Sequence, residues 1–572
     1  MKNSLYQYVP NPLFAREKTV IINDGWQFSF DNQNWKQINV PYCPESKLSG
    51  IHFTDFIPVC YYKKSFTVSK TENRLVLHFG AVDYKACVYV NNIYIGEHEG
   101  GYTPFAFDVT DALRSGENEI YLVVRDSEFG KNATGKQSKR RNSYGCFYTR
   151  TTGIWQSVWL EEVPQKQIQE FYFYPNINEV AVDLDLHVSA CGNYAVEVYF
   201  ENKLVGEEKG EIEYRKRLHI PLLEKRLWGV GCGNLYDVKI RFEEDEVYSY
   251  FGLREVGYKG YDFILNGERC YQKLVLDQGY YPDGIYTAPS EGVMQRDIDM
   301  ALELGFNGAR LHQKVFDPQF LYLCDKAGYL VWGECASWGI DYSKLDAIGQ
   351  FISEWQQELK RDFNHPSIIT WCPLNETWGD WDDPRKGRNV QFVDTVYAFT
   401  KIFDTTRPCV DVSGGHHGKE TDLFDFHCYE PLENIEKYLD EWENNGVLEV
   451  PLLYDKQENK KYVGGAVNLS ECGGFSLSDT ISDVSTVNEG AVQSEESWGY
   501  GKGETDANAF VKRYEELAVL LSRYKKLSGF CYTQLYDIQQ EQNGFYCYDR
   551  SDKLTEKQKE KIKRINTFKS NK

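Results

Sequence analysis

The sequence predicts a multidomain chain of β plus α/β class: an N-terminal jelly-roll β-sandwich over 1–163, an immunoglobulin-like β-sandwich over 164–255 and a C-terminal (β/α)8 TIM barrel over 256–572. Three observations predict it. A chain of 572 residues is too long to fold around one core. Its first 255 residues are written in short apolar or alternating runs separated by turn residues. From about residue 256, apolar strand candidates alternate with helical patterns.

In the first unit, Leu75–Leu77 and Val88–Ile95 read as strands, broken by Asn91–Asn92, Gly100–Gly101 and Ser115–Gly116. Trp26, Trp35, Phe105, Phe107, Trp155 and Trp159 are natural core fillers for a sandwich or jelly roll. The polar, basic stretch Asp126–Arg150 (with KNATGKQSKRRNSYG) reads as a long loop. It is either solvated or reaches into a neighbouring domain's site. The second unit alternates over Val180–Val188, Tyr194–Phe200 and Tyr236–Phe242, as an immunoglobulin-like spacer would. His187 and His219 there read as packed or exposed strand residues.

The third unit supplies eight strand candidates. Lys273–Leu276 leads to Asp277, Phe306–Leu311 to His312, and Tyr329–Trp332 to Glu334. Ile368–Trp371 leads to Asn375–Glu376. Cys409–Val412, Leu423–His427, Ala466–Leu469 before Glu471, and Gly529–Thr533 before Gln534 complete the set. Helical patterns fall near Glu291–Leu304, Pro318–Ala327 and Ile352–Arg361, and the Lys-rich Lys553–Lys572 reads as the last helix and a tail. This count and rhythm are those of a barrel whose chemistry gathers at the C-terminal ends of its strands.

Composition excludes some classes. Hydrophobic content of 42% and charged content of 26% are those of a globular protein. The 15% of aromatics fits β-rich domains and sugar stacking alike. A net charge of −21 argues against nucleic acid as a partner, because phosphate binding needs a basic face. No stretch has signal-peptide or membrane-span character, so no membrane partner is expected. The 15 cysteines are scattered, odd in number and contain no CxxC pair; reduced thiols in a cytoplasmic protein are expected. No His/Cys spacing reads as a metal site, so neither metal nor other cofactor is expected. His416–His417, in SGGHHGK, should face solvent or substrate.

Two carboxylates stand out. Glu376 ends the fourth strand candidate and Glu471 the seventh, so both fall on one rim of one barrel. A pair of carboxyls facing each other across a sugar is what glycoside hydrolysis requires, one as proton donor and one as nucleophile or base. The donor needs a raised pKa, for which Trp378 and Glu471 are candidate causes. Asn375 adds a donor and an acceptor beside the acid.

The stretch NHPSIITWCPLNETWG strongly resembles the acid/base signature of glycoside hydrolase family 2, and LSECGG is similar to that family's nucleophile segment. DGWQFSFDNQNW, VYVNNIYIGEHEGGYTPFAFDVT and TTGIWQSVWLE look like its sugar-binding-type jelly roll, and 164–255 like its immunoglobulin-like module. The resemblance implies Glu376 as general acid/base, Glu471 as nucleophile, Asn375 on the sugar 2-hydroxyl, and a retaining mechanism. It implies that Arg310 lies under the site with His312 near the sugar, and makes Tyr429 the tyrosine beside the nucleophile. Asp277 is a candidate for ring hydroxyls or a helix cap, and Glu334 for tuning a pKa or pairing with Arg310. His427 and Gln534 end strands on the same rim; Trp338, Trp378 and Trp498 are candidates for stacking on sugars.

Departures narrow the expectation. Cys472 stands where the family usually has an aromatic residue, which would widen the pocket floor. GECASWGID lacks the ligands of the family's magnesium-dependent members. No Asn–x–Lys carboxylate reader of the glucuronidase type follows Gln534, which leaves Lys314 or Lys136–Arg141 as alternative readers. The expected activity is therefore a retaining exo-β-glycosidase on a small glycoside or oligosaccharide. β-Galactosides are first in line, and uronic-acid or other neutral β-glycosides are the alternative. A non-catalytic carbohydrate-binding protein is the competitor of another class, and self-association into a homo-oligomer is a further expectation.

Overall fold

The computed structural model describes residues 9–68, 71–127, 132–377, 389–450, 462, 464–477, 482–484, 495–501 and 503–567. Its N-terminal unit packs two antiparallel sheets face to face. One has four strands, with Val158–Val163 and Arg74–Phe79 at its centre; the other has six, with Val59–Val68 beside Gly116–Arg125. Alternation drives this packing: Ile120, Leu122 and Val124 point inward against Trp26, Phe28, Tyr62, Leu77 and Phe79. Trp35 is only half-buried and lies on the outer face under Lys63, whose Nζ is 4.0 Å from its ring. Phe105 and Phe107 are also half-buried rather than central.

The second unit pairs a three-stranded sheet (Ile168–Asn176, Ala181–Val188, Arg215–Pro221) with a four-stranded one (Gly192–Phe200, Lys203–Ile212, Tyr236–Phe242, Asp245–Phe251). Its own apolar core runs between them. Arg16 clamps the two sandwiches together. Its guanidinium donates to Glu161 of the first at 2.9 Å and to both carboxylate oxygens of Asp245 of the second at 2.9 and 2.8 Å.

The third unit is a ring of parallel strands: Gln272–Asp277, Gly308–Leu311, Leu330–Glu334, Ile368–Cys372, Phe424–Cys428, Val467–Gly473 and Leu527–Thr533. Their order is that of neighbours around a barrel, the last strand pairing with the first. Nearly every residue in them is buried, because helices cover the outside and side chains fill the inside. The fifth candidate, Cys409–Val412, does not form a ladder strand. It joins the fourth strand through single bridges, Trp371 with Cys409 and Asn375 with Ser413. Side chains link it onward, as Ser413 Oγ donates to Asp425 at 2.7 Å.

The helices obey their end signals. Pro318–Ala327 starts after Asp317, which accepts from Gln319 N, and stops at Gly328 in left-handed conformation. The other two expected helices form as Glu291–Glu303 and Ile348–Asp362, and a last one as Glu556–Thr567. His417 does not face solvent. His416 and His417 are both buried, and His417 is held between Asp411 Oδ1 at 2.6 Å and the Asp425 carbonyl at 2.8 Å. Carboxylates, not solvent, meet this glycine-rich loop.

Half of the NHPSIITW segment is attachment rather than chemistry. Asn364 accepts from Phe173 N at 2.8 Å and donates to Phe171 O at 3.0 Å, fastening the barrel to the second sandwich. The loop from the first sandwich likewise docks on the barrel: Thr134 N donates to Trp338 O at 2.7 Å and Gly135 N to the same oxygen at 3.1 Å. Gly135 has φ +56°, and a Cβ there would lie 2.1 Å from Gln313 O, so only glycine permits this approach.

Removing the Arg16 guanidinium strands two buried carboxylates. Arg16→Ala is expected to destabilise the chain by about 3–5 kcal/mol in urea unfolding. A loss under 1 kcal/mol would mean that the clamp carries no stability.

Candidate active site

The site is built around Arg310, which is wholly buried on the second barrel strand. Its Nη1 donates to Ser470 O at 2.8 Å and to Glu471 Oε1 at 3.0 Å; its Nη2 donates to Glu334 Oε2 at 2.8 Å and Asn375 Oδ1 at 2.9 Å. One planar fork thus ties the ends of the third, fourth and seventh barrel positions. Glu334 is shared further: its Oε1 lies 2.8 Å from His312 Nδ1 and accepts from Gln313 N at 3.1 Å. Burial alone would raise the Glu334 carboxyl, but His312 and Arg310 bring it below its ordinary value. Burial holds the His312 imidazole below its ordinary value.

Glu376 and Glu471 face one another. His427 sits between them, its Nδ1 hydrogen-bonded to Glu376 Oε1 and 3.4 Å from Glu471 Oε2. Gly414 makes this fit possible, since a Cβ there would meet the Glu376 and His427 side chains at 2.8 Å. Tyr429 donates to Glu471 Oε2 at 2.5 Å and stays 2.9 Å from Thr533 Oγ1. Burial would push the Glu471 carboxyl up; the cationic neighbours His427, His312, Arg310 and Lys136 overcome this and hold it well below the usual carboxylate range. The imidazole of His427 is raised by the same two carboxylates against the effect of burial. Donor atoms of Glu376, His427 and Glu471 lie within 4.8 Å of one another, close enough to bracket a small cation. Two of these three groups, Glu376 and His427, are joined by a direct hydrogen bond.

The remaining candidates divide. Asn375 has its Oδ1 on Arg310 while its buried Nδ2 finds no acceptor among the described residues, so it is free for a ligand hydroxyl. Trp338 donates from Nε1 to Asn375 O at 3.0 Å, which fixes the wall beside the acid. Asp277 is drawn into the barrel rim, where its Oδ1 accepts from Gly279 N at 2.9 Å and from Tyr536 OH; the cap of the following helix is Ser290. Gln534 is spent on Gln278 and Asn543, at 2.6 and 2.8 Å. Trp498 is buried, with Nε1 on Gly145 O at 2.8 Å. Cys472 packs behind the floor, its Sγ 3.4 Å from Cys531 O. Trp378 lies outside the described residues.

Sequence reasoning missed several residues here. Tyr500 stacks flat on Tyr429, centroids 3.6 Å apart, and Ser413 supports His427 at 3.1 Å. Tyr148, from the sandwich loop, donates to Glu541 after the last barrel strand. Local spacing signals none of these contacts, least of all that of Tyr148 with Glu541, 393 positions apart; an aromatic in a basic loop was the one available hint.

Residues 14–164 match the family model described as glycosyl hydrolases family 2, sugar binding domain, and residues 287–456 the one described as glycosyl hydrolases family 2, TIM barrel domain. The chain is 26% identical over 386 residues to a putative β-glucuronidase of Formosa agariphila, covering 61% of this chain and 44% of the relative. It is 28% identical over 401 residues to a β-galactosidase of Thermoanaerobacterium thermosulfurigenes, covering 64% and 55%. The chain thus spans about half the length of the curated relatives it matches. In fold it is similar to a GH2 β-galacturonidase from Eisenbergiella tayi bound to glycerol, with a TM-score of 0.73, 20% identity and 97% of each chain covered. It also resembles a β-D-glucuronidase structure of Dictyoglomus thermophilum, with a TM-score of 0.77, 17% identity, and 97% and 98% covered. The two family models together match more than half of the residues, and the chain belongs to glycoside hydrolase family 2.

Proposed function

We propose that the chain is a retaining exo-β-glycosidase in which Glu471 is the nucleophile and Glu376 the acid/base. The observation that carries this reading is the closeness of the two carboxylates: oxygens of Glu376 and Glu471 lie within 4.8 Å. Retaining enzymes place their carboxyls about 5–5.5 Å apart, whereas inverting ones leave about 6.5–9.5 Å for a water. The electrostatics supports the same division of roles. Glu471 stays ionised among cations, as a nucleophile must, and Glu376 stands beside it, hydrogen-bonded to His427.

In the first step Glu471 attacks the anomeric carbon while Glu376 protonates the departing glycosidic oxygen, so that C1–O breaks as the glycosyl ester forms. Water, deprotonated by Glu376, then attacks the same carbon and releases Glu471. Asn375 Nδ2 is free to hold the sugar 2-hydroxyl. Tyr429 steadies the nucleophile through its hydrogen bond to Oε2. The sandwich loop and the segment after the last strand wall the pocket, which favours a single terminal sugar over a cleft along a polymer. β-Galactosides are the substrates first expected from sequence; relatives carry both β-galactosidase and β-glucuronidase names. The two sugar classes share this chemistry and differ at C5, where one bears a hydroxymethyl and the other a carboxylate.

Against a panel of nitrophenyl β-glycosides, Glu471→Gln is expected to lose at least about 10⁴-fold in kcat. Glu376→Ala should lose most on poor leaving groups and little on dinitrophenyl glycosides, which leave without a proton. Azide added to Glu376→Ala should give a β-glycosyl azide; an α-azide would contradict retention. The pH profile offers a further check. His427 is the largest cationic influence holding Glu471 down, so its loss raises the nucleophile's pKa. The acidic limb of kcat/KM should therefore move to higher pH in His427→Gln, and an unmoved limb would contradict the role of His427.

A further inference from the structure

The sandwich loop that docks on the barrel brings one cation, Lys136, close to the two facing carboxylates. Lys136 is 6% exposed. Its Nζ lies 5.6 Å from the centre of the Trp338 ring and 5.9 Å from that of Tyr148. Trp338 is held on Asn375 and Tyr148 on Glu541, so the ammonium stands between the acid/base wall and the wall after the last barrel strand. It is near enough to Glu471 and His312 to bias both electrostatically.

The backbone around Lys136 is fixed on both sides. Gly135 is pressed onto Gln313 and Ala336, just beyond His312 and Glu334. Lys136 O accepts from Tyr148 N at 2.8 Å, and the Gln137 side chain is locked by Asp83 at 2.7 Å and Thr151 N at 2.8 Å. The lysine is therefore presented by a rigid support.

What it lacks is an acceptor. Among the described residues Lys136 Nζ has neither a hydrogen bond nor an ion pair. The nearby Glu541 is already engaged: Tyr148 OH donates to one oxygen and Asn543 Nδ2 to the other, at 3.1 Å. Other cations of this region are committed. Arg310 donates through its two Nη atoms to four acceptors, two of them carboxylates. Lys314 donates to Gly279 O and Tyr286 O. Arg150 donates to the carbonyls of Ser138, Arg140 and Thr54. A buried ammonium with no hydrogen-bonded partner of opposite charge is costly unless a ligand supplies one. A hydroxymethyl oxygen offers only a neutral acceptor; a carboxylate offers an acceptor and the opposite charge.

We propose that Lys136 reads the carboxylate of a hexuronic acid in the pocket, so that the preferred substrate is a β-hexuronoside. The proposal rests on the glycosidase reading above. It assigns to the first sandwich a direct part in choosing the sugar. A chain of net charge −21 repels an anionic substrate at long range, so a local cation at the point of recognition is what such a substrate needs.

The test compares kcat/KM on nitrophenyl β-D-glucuronide and β-D-galacturonide with that on the matching β-D-glucoside and β-D-galactoside, for the wild type, Lys136→Met and Lys136→Arg. The expected result is a wild-type preference for one uronide over its neutral counterpart. Lys136→Met should lose at least 100-fold on that uronide and less than 10-fold on the neutral sugar, and Lys136→Arg should recover part of the uronide activity. A wild-type preference for a neutral sugar would overturn the proposal and leave the glycosidase reading standing. An equal loss on both sugars in Lys136→Met would also overturn it, assigning the lysine to the upkeep of Glu471. No hydrolysis of any glycoside, with no covalent labelling by fluoro-sugars, would remove both.

Discussion

A single buried guanidinium sets the terms for this molecule. Arg310 has no exposure, and its charge is tolerable in the barrel interior only because Glu334 and Glu471 accept from it. Those bonds fix where three strand ends lie relative to each other. They also keep the proposed nucleophile ionised, orient Asn375 with its amide nitrogen toward the pocket, and leave Glu376 to His427. Placing the two carboxyls close together, one beside Arg310 and the other on His427, is thus a consequence of where one cation is buried.

The rest of the architecture carries that geometry outward. The barrel supplies the floor, but its walls come from elsewhere: Trp338 after the third strand, the segment around Glu541 after the last, and the loop 132–150 from the first sandwich. Arg16 joins the two sandwiches, and Asn364 joins the second sandwich to the barrel immediately before the acid-bearing strand. Thr134 and Gly135 then return the first sandwich to the barrel rim. This closed circuit of contacts holds the loop of the first sandwich at the barrel rim.

Local signals made much of this legible in the sequence. Pro318–Ala327 was readable to the residue because Asp317, Pro318 and Gly328 mark both ends by hydrogen bonding and backbone conformation. The barrel strands were readable because burial on both faces leaves unbroken apolar runs. The pairing of Glu376 with Glu471 followed from their places at strand ends. What failed was whatever depends on distant partners. Cys409–Val412 looks like its neighbours but forms only single bridges. His417 sits in a glycine-rich loop that reads as facing solvent or substrate, yet Asp411 and Asp425 hold it inside. Asp277 and Gln534 end strands on the right rim, but Tyr536, Gln278 and Asn543 claim them first. Lys136 was one of several basic residues in a polar loop; only the docking of Gly135 singles it out.

The central claim is that Glu471 forms a covalent bond to the sugar. Dinitrophenyl 2-deoxy-2-fluoro-β-glycosides of the neutral and uronic series trap such an intermediate, because the fluorine slows its breakdown while the leaving group allows it to form. Proteolysis and mass spectrometry then locate the label. The account predicts one sugar per chain, on Glu471, with turnover restored as the adduct decays. A label on Glu376, or turnover of the corresponding dinitrophenyl glycoside without any adduct, would contradict it.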